Sequence, residues 1–183
     1  LDGRLDDGKL RAIAAHPQVR LFELKLSQGA KPGKGGILPG AKVSSEIAAI
    51  RGVRAGVDAI SPNRHPEITD NDSLLDMVGR VRAVTGKPVG IKAVLGSGEW
   101  LDTLFARIRE RGPACAPDFF TLDGAEGGTG AAPQALIDDV GLPLRESLPL
   151  LVDKLVEYGL RERVKVIAAG KLITAADVAW ALA

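Results

Sequence analysis

The sequence predicts an α/β fold, an incomplete (β/α)8 barrel of parallel strands that lacks its first and last elements. Short apolar segments alternate with amphipathic helical segments along the 183 residues, which is the order of a parallel sheet. Aromatic residues are only 4% and glycines number 22, as in sheets built from small aliphatic residues. A closed barrel usually needs about 250 residues, so an incomplete barrel reconciles pattern and length, although an open doubly wound sheet alternates in the same way.

Each predicted element rests on a local residue pattern. Residues 69–86 are predicted to hold an amphipathic helix that Gly86 stops, because one face carries Leu74, Leu75, Val78, Val81 and Val84. Ser44 or Ser45, and Thr174, are expected as N-caps of other helices. Strands are predicted at residues 19–26, 58–61, 89–95, 119–122 and 164–168, and the remaining helices at residues 9–15, 43–50, 100–111, 148–158 and 175 onward.

Composition and charge exclude several classes of partner. A net charge of +1, with both signs interspersed, gives no field for nucleic acid or an anionic membrane surface. No apolar run reaches the roughly 20 residues of a membrane span. The single cysteine, Cys115, cannot form an internal disulfide or hold an iron–sulfur cluster by itself, and no metal-ligand spacing is present. A small-molecule partner and a cytoplasmic location are expected.

Both ends of the sequence are typical of a fragment. It begins on Leu1 and ends on DVAWALA, a helical pattern without a cap. The expectation is one domain over residues 1–183 that is an internal fragment of a barrel.

Unusual residues fall at the carboxyl ends of predicted strands. They are residues 28–40, 61–67 and 123–133, together with Lys92, Gly170 and Lys171. In parallel β/α units the loops at this end share one face, and that face carries the active site. The clustering of these segments predicts a ligand site there.

The glycine loop, residues 28–40 with the sequence QGAKPGKGGILPG, predicts an anion-binding lid. Its glycines let the backbone approach a ligand, and Lys31 and Lys34 add positive charge. A surface loop whose glycines only make turns is an equally good interpretation. A Walker P-loop is excluded, because the GKS or GKT ending before a helix is missing.

Two further segments suggest a ligand. Lys92 lies in an otherwise apolar strand and needs a partner, either a carboxylate in a structural ion pair or an electron-rich cofactor. In DGAEGGTGAAP, Asp123 could accept a hydrogen bond from a ligand hydroxyl, and the glycines expose backbone N–H groups. His65, beside Arg64, is interpreted as a solvated loop histidine.

Five blocks in order carry a family resemblance. They are the glycine loop, ISPNRHPE at residues 60–67, GKPVGIK at 86–92, DGAEGGTGAAP at 123–133 and GLPLRE at 141–146. With these blocks the sequence resembles the FMN-binding synthase domain of glutamate synthases, most closely the stand-alone relatives that lack the glutaminase part. The resemblance spans nearly the whole chain.

The resemblance implies an FMN-dependent oxidoreductase with a TIM barrel. Ammonia, derived from glutamine, and 2-oxoglutarate would give 2-iminoglutarate, and hydride transfer from reduced FMN would yield L-glutamate. It implies catalytic roles for Lys31, Arg51 and Lys92, and substrate binding by Gln28, Lys31 and Arg51. The implied cofactor-binding residues are Lys92, Asp123, Gly124, Gly127, Gly128, Thr129, Gly130, Gly170 and Lys171.

Two departures from the family keep alternatives open. Ile37 stands where the large enzymes have a substrate-contacting glutamine, and KAVLG stands where they continue KLVSE. A related FMN enzyme that uses another amine, such as methylamine to give N-methylglutamate, is one alternative; a non-catalytic barrel subunit and a flavin-free phosphosugar barrel are others. An iron–sulfur cluster could come only from residues beyond Ala183, and a glutaminase domain or an electron-donating subunit is an expected partner.

Overall fold

The structure is a computed structural model that describes residues 4–31, 33, 35–126, 132–137 and 139–183. These ranges contain six α-helices and six strands, which alternate from α2 onward. The helices are α1 (Asp7–Ala14), α2 (Ser45–Arg51), α3 (Asn71–Thr85), α4 (Glu99–Arg111), α5 (Leu144–Glu157) and α6 (Ala175–Leu182). The strands are β1 (Phe22–Lys25), β2 (Ile37–Leu38), β3 (Ala59–Ile60), β4 (Val89–Ala93), β5 (Phe119–Asp123) and β6 (Lys165–Ala169).

Four strands form a parallel sheet in the order β1-β4-β5-β6, which confirms the predicted α/β class. The order in space follows the order in the chain, so the sheet has no point at which the winding reverses. Register aligns Lys25 with Lys92, Lys92 with Thr121, and Thr121 with Ile167. The described strands do not close into a barrel.

The two faces of this sheet differ in chemistry. One face holds Ile91, Phe120 and Leu122, all fully buried, and packs into the apolar core formed with α3, α4 and α5. Because successive side chains point to opposite faces, the other face carries the residues in between. We call it the polar face; it holds Glu23, Lys25, Lys92, Thr121 and Asp123.

The prediction of a fifth parallel strand at residues 58–61 is wrong. Only Ala59 and Ile60 are extended, and they pair antiparallel with Ile37 and Leu38 of β2. Ile37 and Ile60 face each other at 57% and 71% exposure, so the apolar residues that suggested a strand of the parallel sheet belong to a surface ribbon. The glycine loop therefore ends in a strand of its own.

Most of the predicted helix caps and ends are confirmed. Ser44 caps α2, Thr174 caps α6, and Gly86 ends α3 in the left-handed region with φ 66°. Helix α5 begins at Leu144, a full turn before the predicted residue 148. The extra turn forms because Leu144 is buried and its N–H donates to Glu126 Oε1 (2.6 Å), contacts that the local sequence does not reveal. No helix in the described part of the chain is long and apolar enough to cross a membrane.

Candidate active site

Side chains from distant segments hold the glycine loop at three places. The Gly29 N–H donates to Asp123 Oδ2 (2.8 Å), at the end of β5. The Gly35 N–H donates to Asn63 Oδ1 (2.9 Å), and the Gly40 N–H donates to Asp58 Oδ1 (2.6 Å). The loop is thus fastened at its start, middle and end to the segments that surround it.

All three of these glycines lie in direct backbone contact with other segments; for Gly40, an added Cβ would lie 2.5 Å from the Gly56 carbonyl oxygen. A Cβ on Gly29 would lie 1.8 Å from the Gly124 carbonyl oxygen. A Cβ on Gly35 would lie 2.1 Å from the Ser61 carbonyl oxygen. Any side chain at these positions would force the backbone to move, so these glycines are required for close approach and not only for turning.

A small cavity of about 370 Å³ lies under the glycine loop at the end of β1. It brings together the predicted residues Gln28 and Lys31 with Asn63, from the predicted strand-end segment 61–67, and with Lys25, which no sequence pattern indicated. Lys25 Nζ donates to Gln28 Oε1 (2.8 Å). The charged groups in its described lining are Lys25 and Lys31, with no carboxylate, so the cavity suits an anion.

Lys92 has the partner that its position in an apolar strand requires. Its Nζ lies 3.7 Å from Asp123 Oδ1, and the two side chains are 22% and 17% exposed. The other Asp123 oxygen accepts the Gly29 N–H, so this carboxylate joins the strand lysine to the glycine loop. A separation of 3.7 Å is longer than a hydrogen bond, so the described residues leave the donors of the Lys92 ammonium available.

The ends of β5 and β6 meet at a buried carboxylate. Glu126 Oε1 accepts the Leu144 N–H, while Oε2 is buried without a hydrogen-bond partner among the described residues. Oε2 lies 2.0 Å from where a Cβ on Gly124 would be and 3.0 Å from the corresponding point on Gly170. The predicted cofactor residues Gly127, Gly128, Thr129 and Gly130, like Lys34 of the glycine loop, lie outside the described residues.

Lys171 follows the end of β6 in a strained conformation. Its φ of 31° is the one positive value found at a non-glycine residue in the described ranges, and its side chain is exposed. Such conformations persist where surrounding structure imposes them and cluster at ligand sites. Lys171 directly follows Gly170, the residue whose added Cβ would lie 3.0 Å from Glu126 Oε2.

Arg51 is not brought to the small cavity. It is the last residue of α2, its side chain is exposed, and it is absent from the described lining. Ile37 is likewise outside that lining, on the surface ribbon. Of the predicted substrate residues, only Gln28 and Lys31 share a cavity.

A large cavity of about 630 Å³ adjoins the small one through Leu26 and Ser27. Its lining includes His65, whose Nε2 lies 3.1 Å from the Lys25 carbonyl oxygen, so this histidine contacts β1 rather than only solvent. Trp100, interpreted from sequence only as a helix position, also lines it and donates from Nε1 to Asn71 Oδ1 (3.1 Å). The wall is otherwise mostly apolar.

Comparison with protein families identifies the chain. The model of the conserved region in glutamate synthase matches residues 16–183. The chain belongs to the glutamate synthase family. The match includes the glycine loop, the Lys92–Asp123 pair and the strand ends at Gly124 and Gly170.

Individual relatives agree with this membership. The chain is 48% identical over 166 residues to the glutamate synthase large subunit-like protein YerD of Bacillus subtilis, covering 91% of this chain and 31% of that protein. It is 37% identical over 171 residues to the archaeal glutamate synthase [NADPH] of Methanocaldococcus jannaschii, covering 88% of this chain and 31% of that protein. The chain therefore spans about a third of the length of these glutamate synthase relatives.

Proposed function

We propose that the whole protein is an FMN-dependent oxidoreductase of the glutamate synthase type that makes L-glutamate from 2-oxoglutarate and glutamine-derived ammonia. The observation that carries the proposal is the small cavity, whose described ionisable groups are the ammonium groups of Lys25 and Lys31. It lies at the carboxyl end of β1, next in the sheet to the strand that carries Lys92. A cationic cavity beside a polar strand end suits a dicarboxylate substrate that must meet a cofactor.

We also infer that the four-stranded sheet is part of a (β/α)8 barrel. Strands that follow one another in space in chain order, each followed by helix, form barrels, whereas open doubly wound sheets reverse their order. The polar face would then line the interior of the barrel. The side chain of Ile167, which is 43% exposed on that face, would be buried inside the closed barrel.

Two features of the described residues fit FMN. Lys92 would hold the flavin ring, since its ammonium keeps donors available on the polar face. The buried Glu126 Oε2 lacks a donor among the described residues, and a ribityl hydroxyl is a donor of the required kind. Gly124, Gly170 and Lys171 at the same strand ends would hold the remainder of the ribityl and phosphate groups. When bound and reduced, FMN supplies the hydride that turns 2-iminoglutarate into L-glutamate.

The chain's own residues would bind and orient the substrate. Lys31 and Gln28 would donate to one carboxylate of 2-oxoglutarate within the small cavity. Asp123 would face the Lys92 ammonium and hold the start of the glycine loop. The proposed contact of Arg51 with the second carboxylate rests on family resemblance, because Arg51 lies outside that cavity. An iron–sulfur cluster, a glutaminase domain and an electron-donating subunit would be supplied outside residues 1–183.

The full-length protein tests this proposal. Expressed and loaded with FMN, it should be yellow, and its reduced flavin should be reoxidised by 2-oxoglutarate only when ammonium is present. Lys31→Ala should lower this rate by about 100-fold, the scale expected when a charged substrate contact is lost, while the exposed Lys42→Ala should match wild type. A folded protein that stays colourless, or a Lys31→Ala variant with wild-type turnover, would contradict the proposal. Wild-type turnover in the Lys31→Ala variant would favour the alternative that the chain belongs to a non-catalytic subunit.

The identity of the amine is tested in the same assay. Ammonium and methylamine are compared at equal concentrations with 2-oxoglutarate and reduced enzyme. We expect faster reoxidation with ammonium. Faster reoxidation with methylamine would favour the N-methylglutamate synthase alternative and leave the flavin and 2-oxoglutarate parts of the proposal intact.

A further inference from the structure

The small cavity contains two side-chain amides whose orientation the protein fixes. Gln28 and Asn63 both line it, and an amide can present either an acceptor oxygen or a donor NH₂ group to a ligand. Which end faces the cavity decides what the cavity can bind. In both cases a neighbouring donor settles the orientation.

Lys25 fixes the Gln28 amide. The Lys25 ammonium has donors only, and it donates to Gln28 Oε1 at 2.8 Å. The carbonyl oxygen of Gln28 is therefore occupied, and the Nε2 donors remain. Lys25 itself lies on the polar face, in register with Lys92, so β1 sets its position.

The Gly35 N–H fixes the Asn63 amide in the same way. Asn63 Oδ1 accepts this backbone N–H at 2.9 Å, and the Nδ2 group has no partner among the described residues. The close packing of Gly35 on the Ser61 carbonyl holds the two segments together. Asn63 thus fastens the glycine loop with one end of its amide and offers the other end to the cavity.

Taken together, the described side chains with a fixed hydrogen-bonding role present only donors to the small cavity: the ammonium groups of Lys25 and Lys31 and the NH₂ groups of Gln28 and Asn63. Such a cavity favours ligands whose groups are all acceptors and disfavours a ligand ammonium group. We propose that Asn63 is a specificity-determining residue that donates to a carboxylate of the substrate, and that Lys25 is the positioning residue for Gln28. The proposal rests on the proposed function, because this cavity is the one assigned to 2-oxoglutarate.

An isosteric substitution separates the donor role of Asn63 from its structural role. Asn63→Asp keeps an acceptor for the Gly35 N–H but replaces the NH₂ donors with a negatively charged oxygen. Asn63→Ala removes both the acceptor for the Gly35 N–H and the NH₂ donors. Arg54→Ala, an exposed site outside the small cavity, changes the net charge by the same one unit as Asn63→Asp and serves as the control.

The measurement is 2-oxoglutarate binding to the full-length FMN-loaded protein by calorimetry, with KM and kcat determined alongside. We expect Asn63→Asp to raise the Kd and KM by at least about tenfold with a smaller change in kcat, and Asn63→Ala to raise them less. Lys25→Met should raise the Kd by about tenfold, and Lys25→Arg, which keeps a donor for Gln28, by about threefold or less. Arg54→Ala should match wild type.

A purely structural Asn63 gives the opposite order, with Asn63→Asp like wild type and Asn63→Ala impaired, and that result overturns the proposal. Succinate and inorganic phosphate are titrated in parallel. If wild type binds succinate or phosphate but not 2-oxoglutarate, and Asn63→Asp still weakens binding by the same factor, the donor arrangement stands and the proposed substrate falls. If none of the three anions binds, the proposal is overturned as well.

Discussion

Strand β5 has an aspartate at each end, and the two are used differently. Asp118, just before the strand, accepts the Val89 N–H (2.8 Å) and pairs with Arg82 (3.0 Å) and Arg163 (2.9 Å). Asp123, the last residue of the strand, accepts the Gly29 N–H (2.8 Å) and lies 3.7 Å from Lys92. Both carboxylates are partly buried, at 26% and 17% exposure, and they differ most in their partners.

The partners show what each end of the sheet does. Two guanidinium groups and the Val89 N–H occupy both oxygens of Asp118, which fixes this carboxylate among structural partners. Among the described residues, Asp123 pairs with one lysine, at a longer distance. It accepts a hydrogen bond from the glycine loop, which covers a cavity whose described lining contains two lysines and no carboxylate. This division follows the general rule for β/α units, in which the amino ends of the strands stabilise and the carboxyl ends bind.

Asp118→Asn should lower the free energy of unfolding of the full-length protein by about 3 kcal/mol, because it leaves two partly buried guanidinium groups without their carboxylate. Turnover per folded molecule should be unchanged. Urea unfolding measures the loss. The control is Asp76→Asn, whose exposed ion pair with Arg111 should contribute less than about 1 kcal/mol. Equal losses in both variants would contradict the assignment of Asp118 to stability.

The contribution of Asp118 should depend on pH in one direction. Burial alone would raise the pKa of its carboxyl, yet the Val89 N–H and the guanidinium groups of Arg82 and Arg163 hold this pKa below its ordinary value of 3.8. A lowered folded-state pKa means that the stabilisation is fully present above pH 3.8 and is lost as the pH falls through the folded pKa. The stability gap between wild type and Asp118→Asn should therefore narrow below about pH 4. A gap that stays constant down to acid unfolding would be inconsistent with this coupling.

Asp123→Asn should show the reverse pattern. The amide keeps an acceptor for the Gly29 N–H but removes the charge that faces Lys92. Turnover should fall about tenfold, while the free energy of unfolding should change by less than about 1 kcal/mol, the range of a loose, partly exposed ion pair. Paired measurements of flavin reoxidation and urea unfolding check both values. If Asp123→Asn lost much stability and kept normal turnover, Asp123 would serve stability in the same way as Asp118, and the contrast between the two ends of β5 would be wrong.

Two glycines, one with free space around it and one in close backbone contact, should respond differently to substitution by alanine. Gly79, inside α3, would place a Cβ with nothing within 4 Å, so Gly79→Ala should raise the free energy of unfolding by about 0.5–1 kcal/mol. Gly29→Ala, with its Cβ 1.8 Å from a carbonyl oxygen, should instead be destabilising and lower turnover. Thermal unfolding with turnover measures both. A neutral Gly29→Ala would show that the glycine loop is not fastened to β5.

The sequence was informative where structure is local. An alternating segment located β1, short apolar segments located β4, β5 and β6, and helical periodicity located the helices between them, because these patterns depend only on neighbouring residues. It failed for β3, since a two-residue strand depends on its partner β2 more than on its own composition. The pattern showed that Lys92 required a partner but could not name Asp123.

The connections within the site were not predictable for the same reason. Asp123 and Gly29 are separated by 94 positions, and Asn63 and Gly35 by 28, so no local pattern links them. Lys25 becomes significant only through its register with Lys92 and its bond to Gln28. The role of Glu126 depends on the meeting of three separate segments. Family resemblance indicated Lys31 and Arg51, of which the small cavity contains Lys31.

The assignment of ligand binding to the carboxyl end of the sheet is tested most directly by one calorimetric comparison. 2-Oxoglutarate is titrated into full-length, FMN-loaded wild type, Lys31→Ala and Asp118→Asn at neutral pH. We expect Lys31→Ala to weaken binding by at least about tenfold and Asp118→Asn to leave it unchanged. Binding that survives Lys31→Ala and is lost in a folded Asp118→Asn variant would place the ligand at the opposite end of the strands and contradict the account.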